Sequence, residues 1–362
     1  MILEKTLNSA YKIILTLYEN KYVLLYMQDN RTIEIKLFDK NSKYNVGDIY
    51  SAEIKEKADG IDATFVSISK DKKGYLKGTK YKNGSVVPVM IKKRESLNKR
   101  DVVTDELVIP GIYNVCFKDK TIKRTNSGFI DEESVNNEKL YLEKLYREVS
   151  LYGDKRTKGV LLYKNIDIIN TVYSNRFDML DEIITDDKEL YDLFIDFNAK
   201  YRELGINIDK KIRFYQDNQV NLFALYNVSS RINDAISKKV WLNSGAYLYI
   251  EHTEAMTVID VNTGNASKKS KEETFLTVNL EAAKEVVHQL RLRNLSGIII
   301  VDFINMKSKN DCESLLEYIN EIIKDDNRKA KCHGMTKLGL VEITREKKDN
   351  PLFMQLKDIR ND

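Results

Sequence analysis

Residues 11–38 alternate apolar and polar side chains in part, as YKIILTLYENKYVLLYMQDNRTIEIKLF, and the pairs Glu19-Asn20 and Asp29-Asn30 interrupt the alternation with turn formers. A period of two broken by such pairs predicts a strand meander. Residues 46–76 continue as short strands, with turns at Asp59-Gly60 and at 71–74, and further strands run through GSVVPVMIKK and DELVIPGIYNVCFKD. Closely spaced strands with aromatics near the turns predict a small barrel. A helical period begins near Asn137 and reaches about residue 151. Second and third helices are expected over 187–201 and 222–238, the third with Leu225, Val228, Ile232 and Ile236 at helical spacing. The string AYLYIEHTEAMTVIDVN then predicts two strands around a turn at 252–254, followed by a long amphipathic helix over 272–294. The nearly unbroken apolar run SGIIIVDFINM is expected to be a strand buried on both faces. A helix over 310–324 and a strand within MTKLGLVEITR complete the pattern.

Composition adds limits rather than identity. With 362 residues the chain has material for two or three domains and a sizeable core. A hydrophobic share of 42% and a charged share of 31% fit a globular protein. No run of 18 apolar residues exists and the start lacks a signal-peptide pattern, so no membrane partner and a cytoplasmic location are expected. Three cysteines without a CxxC pair are expected to be reduced and structural, and the three histidines lack zinc-ligand spacing. A net charge of +4 does not establish a polyanion partner, so any nucleic-acid surface must be a local patch.

Chemistry is suggested by two aspartates. Asp260 and Asp302 each end an apolar strand, and a long helix joins the two strands. A strand, a crossover helix and a second strand normally form a parallel unit, which brings both carboxyl ends to one sheet edge, where ligands bind in open α/β sheets. Two carboxylates converging there without a nearby Arg or Lys suit a divalent cation; magnesium uses one or two carboxylates at about 2.0–2.1 Å. Asn262 lies two residues past Asp260 and has an amide suited to orienting a water or a phosphate oxygen. The other reading stays open on spacing alone, because strand-end aspartates also cap turns and helices.

The strings LNSGAYLYIEHTEAMTVIDVNTGNA, EETFLTVNLEAAKEVVHQLRLRNLSGIIIVDFINM and LGLVEITRE together resemble the catalytic core of the ribonuclease E/G family, and GDIYSAEIKEKADGIDATFVSISKDKKGYL is similar to the start of that family's S1 domain. The resemblance implies an α/β (α+β mixed) fold: a trimmed RNase H-like and 5′-sensor-like region over 1–42 and 111–215, an S1-like OB-fold barrel over 43–110, and a DNase I-like catalytic subdomain over 216–362. It implies a magnesium-dependent endoribonuclease that cuts single-stranded RNA in processing or decay, ribosomal RNA included. The metal-binding aspartates fall on Asp260 and Asp302, and the helper asparagine on Asn262. RNA-contacting aromatics fall on Phe65 and Tyr75, and a basic contact on Lys99. The glycine and backbone half of a 5′-end sensor falls on Gly111 and Val115. Arg291, Arg293 and Lys329 are further candidates for phosphate neutralisation.

The departures from the family pattern carry expectations of their own. A VRTAG-like sensor segment has no room before the helix near Asn137, and Lys155-Arg156-Thr157 matches it by chance. Weak discrimination of the RNA 5′ end follows. No two-cysteine zinc link is seen up to Asp362, so no structural zinc is expected, and any homo-oligomer would form without one. Asn305 stands where the family has a carboxylate. These departures keep a second reading open, a catalytically weak or inactive RNA-binding protein on the same fold.

Overall fold

The computed structural model describes residues 10–57, 60, 62–78, 80–94, 100–118, 120–124, 131–152, 157–174, 180–206, 208, 211–264 and 271–360. Lys99, Lys155 and Arg156 lie outside the described residues. The chain separates into two compact units: Met1–Leu37, Ile183–Asp187 and Arg213–Asp362 form the first, and Phe38–Glu182 and Lys188–Ile212 the second.

The first unit opens on the expected meander, β1 (Tyr11–Tyr18), β2 (Lys21–Gln28) and β3 (Arg31–Asp39). The β1–β2 register closes on a two-residue turn between Tyr18 and Lys21. Glu19 in that turn and Asp29 in the turn between β2 and β3 take left-handed backbone, with φ of 54° and 52°, the conformation that tight hairpin turns require.

The second unit holds the barrel. Its strands are β4 (Ile49–Lys57), β5 (Ala63–Ser67), β6 (Lys73–Lys77), β7 (Val86–Lys93) and β8 (Asp101–Thr104). The sheet closes because β4 pairs with both β5 and β7. Alternate residues Ile54, Val66, Leu76, Val89, Ile91 and Val103 fill the interior. Next come β9 (Val108–Pro110), β10 (Asn114–Phe117) and β11 (Lys120–Lys123), paired in the order β11-β10-β9. Leu142, Tyr146 and Val149 of α1 (Glu132–Tyr152) join Ile109 and Cys116 in one core. This helix starts before Asn137, where the periodicity placed it. The Asp131 carboxylate accepts the N–H groups of Glu133 and Ser134, and capping by a polar stretch leaves no apolar rhythm to read. Then follow β12 (Leu161–Tyr163), which adds antiparallel to β4, and α2 (Asp167–Ser174).

Strands β13 (Leu180–Thr185) and β14 (Lys211–Phe214), on either side of α3 (Lys188–Glu203), extend the meander into a sheet of order β14-β13-β1-β2-β3. The single helix expected over 222–238 is two, α4 (Leu222–Leu225) and α5 (Val228–Ile236). Asn227 breaks it with φ of 47°, a left-handed conformation that Asn tolerates better than most side chains.

The remaining elements are β15 (Lys239–Trp241), β16 (Tyr247–His252), β17 (Met256–Asn262), α6 (Lys271–Leu292), β18 (Gly297–Asp302), α7 (Lys309–Ile322), β19 (Ala330–Met335), β20 (Leu340–Arg345) and α8 (Leu352–Arg360). The strands form one sheet in the order β15-β16-β17-β18-β20-β19, in which β17 and β18 run parallel and the other neighbours antiparallel. Strand β19 was not anticipated from the sequence.

One face of this sheet is core. Ile259, Val261, Ile299, Val301, Val341 and Ile343 lie in one cluster with Val278, Ala282, Val286 and Leu290, four apart along α6, and with Leu315 and Ile319 of α7. Burying each large aliphatic side chain contributes about 1.5–3 kcal/mol. The other face is open, since Trp241, Tyr249, Val258 and Ile298 are exposed. The expectation that 296–306 is buried on both faces is therefore corrected. An apolar run states what a strand can bury, and only the helices on one side decide what it does bury. A buried ion pair closes the sheet's far end: Arg345 donates to Asp326 from Nε at 2.8 Å and from Nη2 at 3.0 Å.

Among the described residues no helix is long and apolar enough to cross a membrane. Cys116, Cys312 and Cys332 are free thiols.

His288, half-buried on α6, has its pKa pushed from 6.5 down to about 3, first by burial and then by the charges of Arg31, Arg291 and Arg293. Between those two pH values the unfolded chain holds a proton there that the folded chain does not. Stability must then fall as the pH drops below 6.5. Urea unfolding midpoints are expected to decline across that window, with a smaller decline in His288→Leu. Parallel pH profiles for the two proteins would contradict this.

A candidate active site on the open face of the mixed sheet

The parallel pairing of β17 with β18 sets Asp260 directly opposite Asp302. Neighbouring strands lie about 4.8 Å apart, so two carboxylates on one face at one register converge. Alternation in β17 places Val258, Asp260 and Asn262 on the open face, and in β18 Ile298, Ile300 and Asp302. Both aspartates are exposed. Their convergence, rather than any cost of burial, is what favours a cation.

The Asn262 side-chain amide donates to Asp260 Oδ2 at 2.6 Å. It fixes the orientation of one carboxylate and so is engaged with Asp260 rather than turned to solvent. Among the described residues neither aspartate has a Lys or Arg partner, and the Asp302 carboxylate accepts no hydrogen bond. Two like charges held side by side without a counter-charge favour a shared cation.

A further positioning residue escaped the sequence reading. Asn279, fully buried on α6, donates from Nδ2 to the Ile304 carbonyl at 2.8 Å and accepts the Ile304 N–H at 3.0 Å. This reciprocal clamp pins the backbone two residues past Asp302. The available signal was an amide placed on the apolar stripe of α6, beside Val278 and Ala282. Asn305 lies just beyond the clamp and is exposed.

The barrel carries a second group of candidates. Phe65 and Tyr75 are direct cross-strand partners and both half-buried, on the opposite side of their strands from the interior residues Val66 and Leu76. Arg100 lies over the Phe65 ring, its Cζ 4.1 Å from the centroid. Beside Tyr75 is a cleft of about 730 Å³ lined also by Lys77, Lys80, Lys92 and Lys118. Lys80 pairs with Asp105, and Lys118 with Glu106 at 2.8 Å. Among the described residues Lys77 and Lys92 make no ion pair.

Gly111 and Val115 flank a turn whose amides are already engaged. The N–H groups of Ile112, Tyr113 and Asn114 donate to the Glu138 carboxylate at 2.6, 2.8 and 2.8 Å. Burial pushes the Glu138 pKa up, against these hydrogen bonds. A Cβ on residue 111 would lie 2.7 Å from that carboxyl group, so a larger residue there would displace the Glu138 side chain. Val115 is half-buried on β10.

The basic candidates near the end of α6 separate. Arg291 is half-buried, whereas Arg293 is 6% exposed and donates from Nε to Gln289, so its guanidinium serves the interior. Lys329 is exposed, but its neighbour Arg328 is buried and pairs with Asp349 at 2.7 Å.

Residues 111–348 match the model of the Ribonuclease E/G family. The chain is 29% identical to a Ribonuclease E/G-like protein of Pyropia yezoensis, over 88% of this chain and 72% of that protein. It is 33% identical to Ribonuclease G of Salmonella typhimurium and 34% identical to Ribonuclease G of Haemophilus influenzae, in each case over 62% of this chain and 46% of the relative. The chain thus spans about half the length of the Ribonuclease G relatives it matches. With both aspartates inside the matched segment, the chain belongs to the Ribonuclease E/G family.

Asn279→Ala removes both halves of the Ile304 clamp and is expected to lower unfolding free energy by about 1–3 kcal/mol, measured by urea denaturation. A loss below about 0.5 kcal/mol would show that the clamp is not needed.

Proposed function

We propose that the chain is an endoribonuclease that cuts single-stranded RNA internally, with magnesium held between Asp260 and Asp302. The observation that carries this reading is the direct opposition of two unpaired carboxylates on parallel strands. The donor set fits the ion: two exposed carboxylates, one oriented by Asn262, with the rest of the coordination sphere left to water and phosphate. What magnesium supplies when bound is Lewis-acid polarisation of the phosphate and a water activated at neutral pH. The chain's own residues do the positioning. Asn262 holds Asp260 in one orientation, and Asn279 holds the loop that follows Asp302. The Ribonuclease G relatives support RNA as the substrate.

The rest of the reading follows from the same assignment. The barrel acts as an S1-like RNA grip, with bases stacking on Phe65 and Tyr75, each stack contributing about 1–3 kcal/mol, and with Lys99 and the cleft lysines neutralising phosphate. Segments 1–42 and 111–215 act as the RNase H-like frame, and 216–362 as the DNase I-like catalytic part. Products carry a 5′-phosphate and a 3′-hydroxyl. The setting is cytoplasmic RNA processing or decay, ribosomal RNA included. Of the remaining basic candidates, Lys329 has an exposed side chain.

The test is cleavage of a fluorescent single-stranded RNA. Magnesium-dependent, EDTA-sensitive cutting is expected, abolished in Asp302→Asn and slowed by about 10- to 100-fold in Asn262→Ala, the usual effect of losing a partner that orients a metal ligand. Equal cutting by Asp302→Asn and the parent, or tight binding with the RNA left whole, would overturn the catalytic reading. A second comparison concerns the RNA 5′ end. With the amides at 112–114 held by Glu138, RNAs starting with a phosphate or a hydroxyl are expected to be cut at equal rates. A marked preference for the phosphorylated RNA would contradict that occupancy.

A further inference from the structure

The open face of the mixed sheet carries more than its two carboxylates. Tyr249 lies directly opposite Asp260, and Tyr247 directly opposite Asn262. One strand further out, Lys239 is opposite Tyr249, and Trp241 opposite Tyr247. Paired residues share a face, so these side chains lie on the face that carries the aspartates, β15 two strand spacings (about 10 Å) from the strand of Asp260 and three from that of Asp302. Trp241 is 60% exposed and Tyr249 39%. The Trp241 and Tyr247 rings meet edge to face, centroids 5.2 Å apart. Lys239 Nζ lies 4.0 Å from the Trp241 centroid and 3.8 Å from that of Tyr247. Among the described residues Lys239 has no carboxylate partner, in contrast to Lys238, which pairs with Glu251 at 2.7 Å.

We infer that Trp241, Tyr247 and Lys239 form a nucleotide subsite beside the carboxylate pair, in which a base of the RNA strand stacks on the exposed Trp241 ring and Lys239 meets a neighbouring phosphate. This rests on the endoribonuclease reading above and adds to it a fixed point for the strand on the catalytic unit itself. Three features single out a nucleotide as the occupant. An exposed indole offers a flat face that any base can cover, and base–aromatic stacking tolerates many sequences. A cation held over two rings rather than by a carboxylate keeps its charge available to an anion. The site is continuous, strand by strand, with the two groups assigned to the scissile phosphate. Held there, one base would limit how far the strand can slide past Asp260 and Asp302, and near-attack positioning depends on such restraint.

Trp241 is the only tryptophan in the chain, so its emission reports on this site alone. The full chain in EDTA, where the RNA stays whole, is titrated with a single-stranded oligonucleotide while tryptophan emission is followed. A fluorescein-labelled copy reports binding by anisotropy. Emission is expected to be quenched along the same curve as the anisotropy. Trp241→Ala should weaken binding by about tenfold, whereas Trp241→Phe should retain most of it. Lys239→Gln should reduce the slope of log affinity against log salt by about one. RNA binding with unchanged emission, or Trp241→Ala binding as tightly as the parent, overturns the subsite and leaves the endoribonuclease reading intact. Emission that responds to protein concentration and not to RNA also overturns it, in favour of a second copy of the chain on this face. An oligonucleotide that neither binds nor is cut once magnesium is restored overturns both.

Discussion

The parallel pairing of β17 with β18 is the constraint on which the catalytic unit depends. Each of those strands carries an aspartate at or near its carboxyl end, and an antiparallel arrangement would send the two carboxylates to opposite edges of the sheet. The crossover through α6 makes the parallel pairing possible, and the register places Asp260 against Asp302 with no offset. A slip of one residue would turn one carboxylate into the core, because side chains alternate faces along a strand. Burial of Ile259, Val261, Ile299 and Val301 under α6 and α7 specifies that register far more strongly than the aspartates do.

Single-sided burial is what turns this register into a site. Helices α6 and α7 cover one face, and the other keeps Trp241, Tyr249, Asp260 and Asp302 open. Polar groups beneath the sheet are engaged with the fold: Asn279 with the backbone of Ile304, Arg345 with Asp326, Arg293 with Gln289. Above the sheet Asp302 and Lys239 have no ion-pair partner among the described residues. Groups engaged inside a fold hold it in shape, and groups left unpaired on its surface are available to a ligand. By the same criterion the Glu138 carboxylate consumes the donors of the 112–114 turn, while Lys77 and Lys92 on the barrel unit remain open.

Much of this was legible in advance. Alternation and turn pairs located the β1–β3 meander to the residue at Glu19 and Asp29, because a two-residue hairpin leaves a local signature. Strand spacing anticipated the barrel, and strand–helix–strand order anticipated the neighbouring aspartates. What escaped had no local signature. Helix α1 begins in a polar stretch that an Asp131 cap organises, and α4 and α5 are divided by the backbone of a single asparagine. The Asn279 clamp joins α6 to the loop after β18.

The sequence by itself determined which segments can be strands and helices, which side chains carry charge, and that two aspartates lie toward the carboxyl ends of two strands joined by a helix. Those properties depend on side-chain chemistry and on neighbours a few residues apart. Only the tertiary structure decided which face of the mixed sheet is covered, that Arg293 is buried while Lys239 lies open over two rings, and that Asn262 holds Asp260 rather than a ligand. Each of these depends on groups brought together from distant parts of the chain or turned by their surroundings, and burial and hydrogen bonding are properties of the assembled surface.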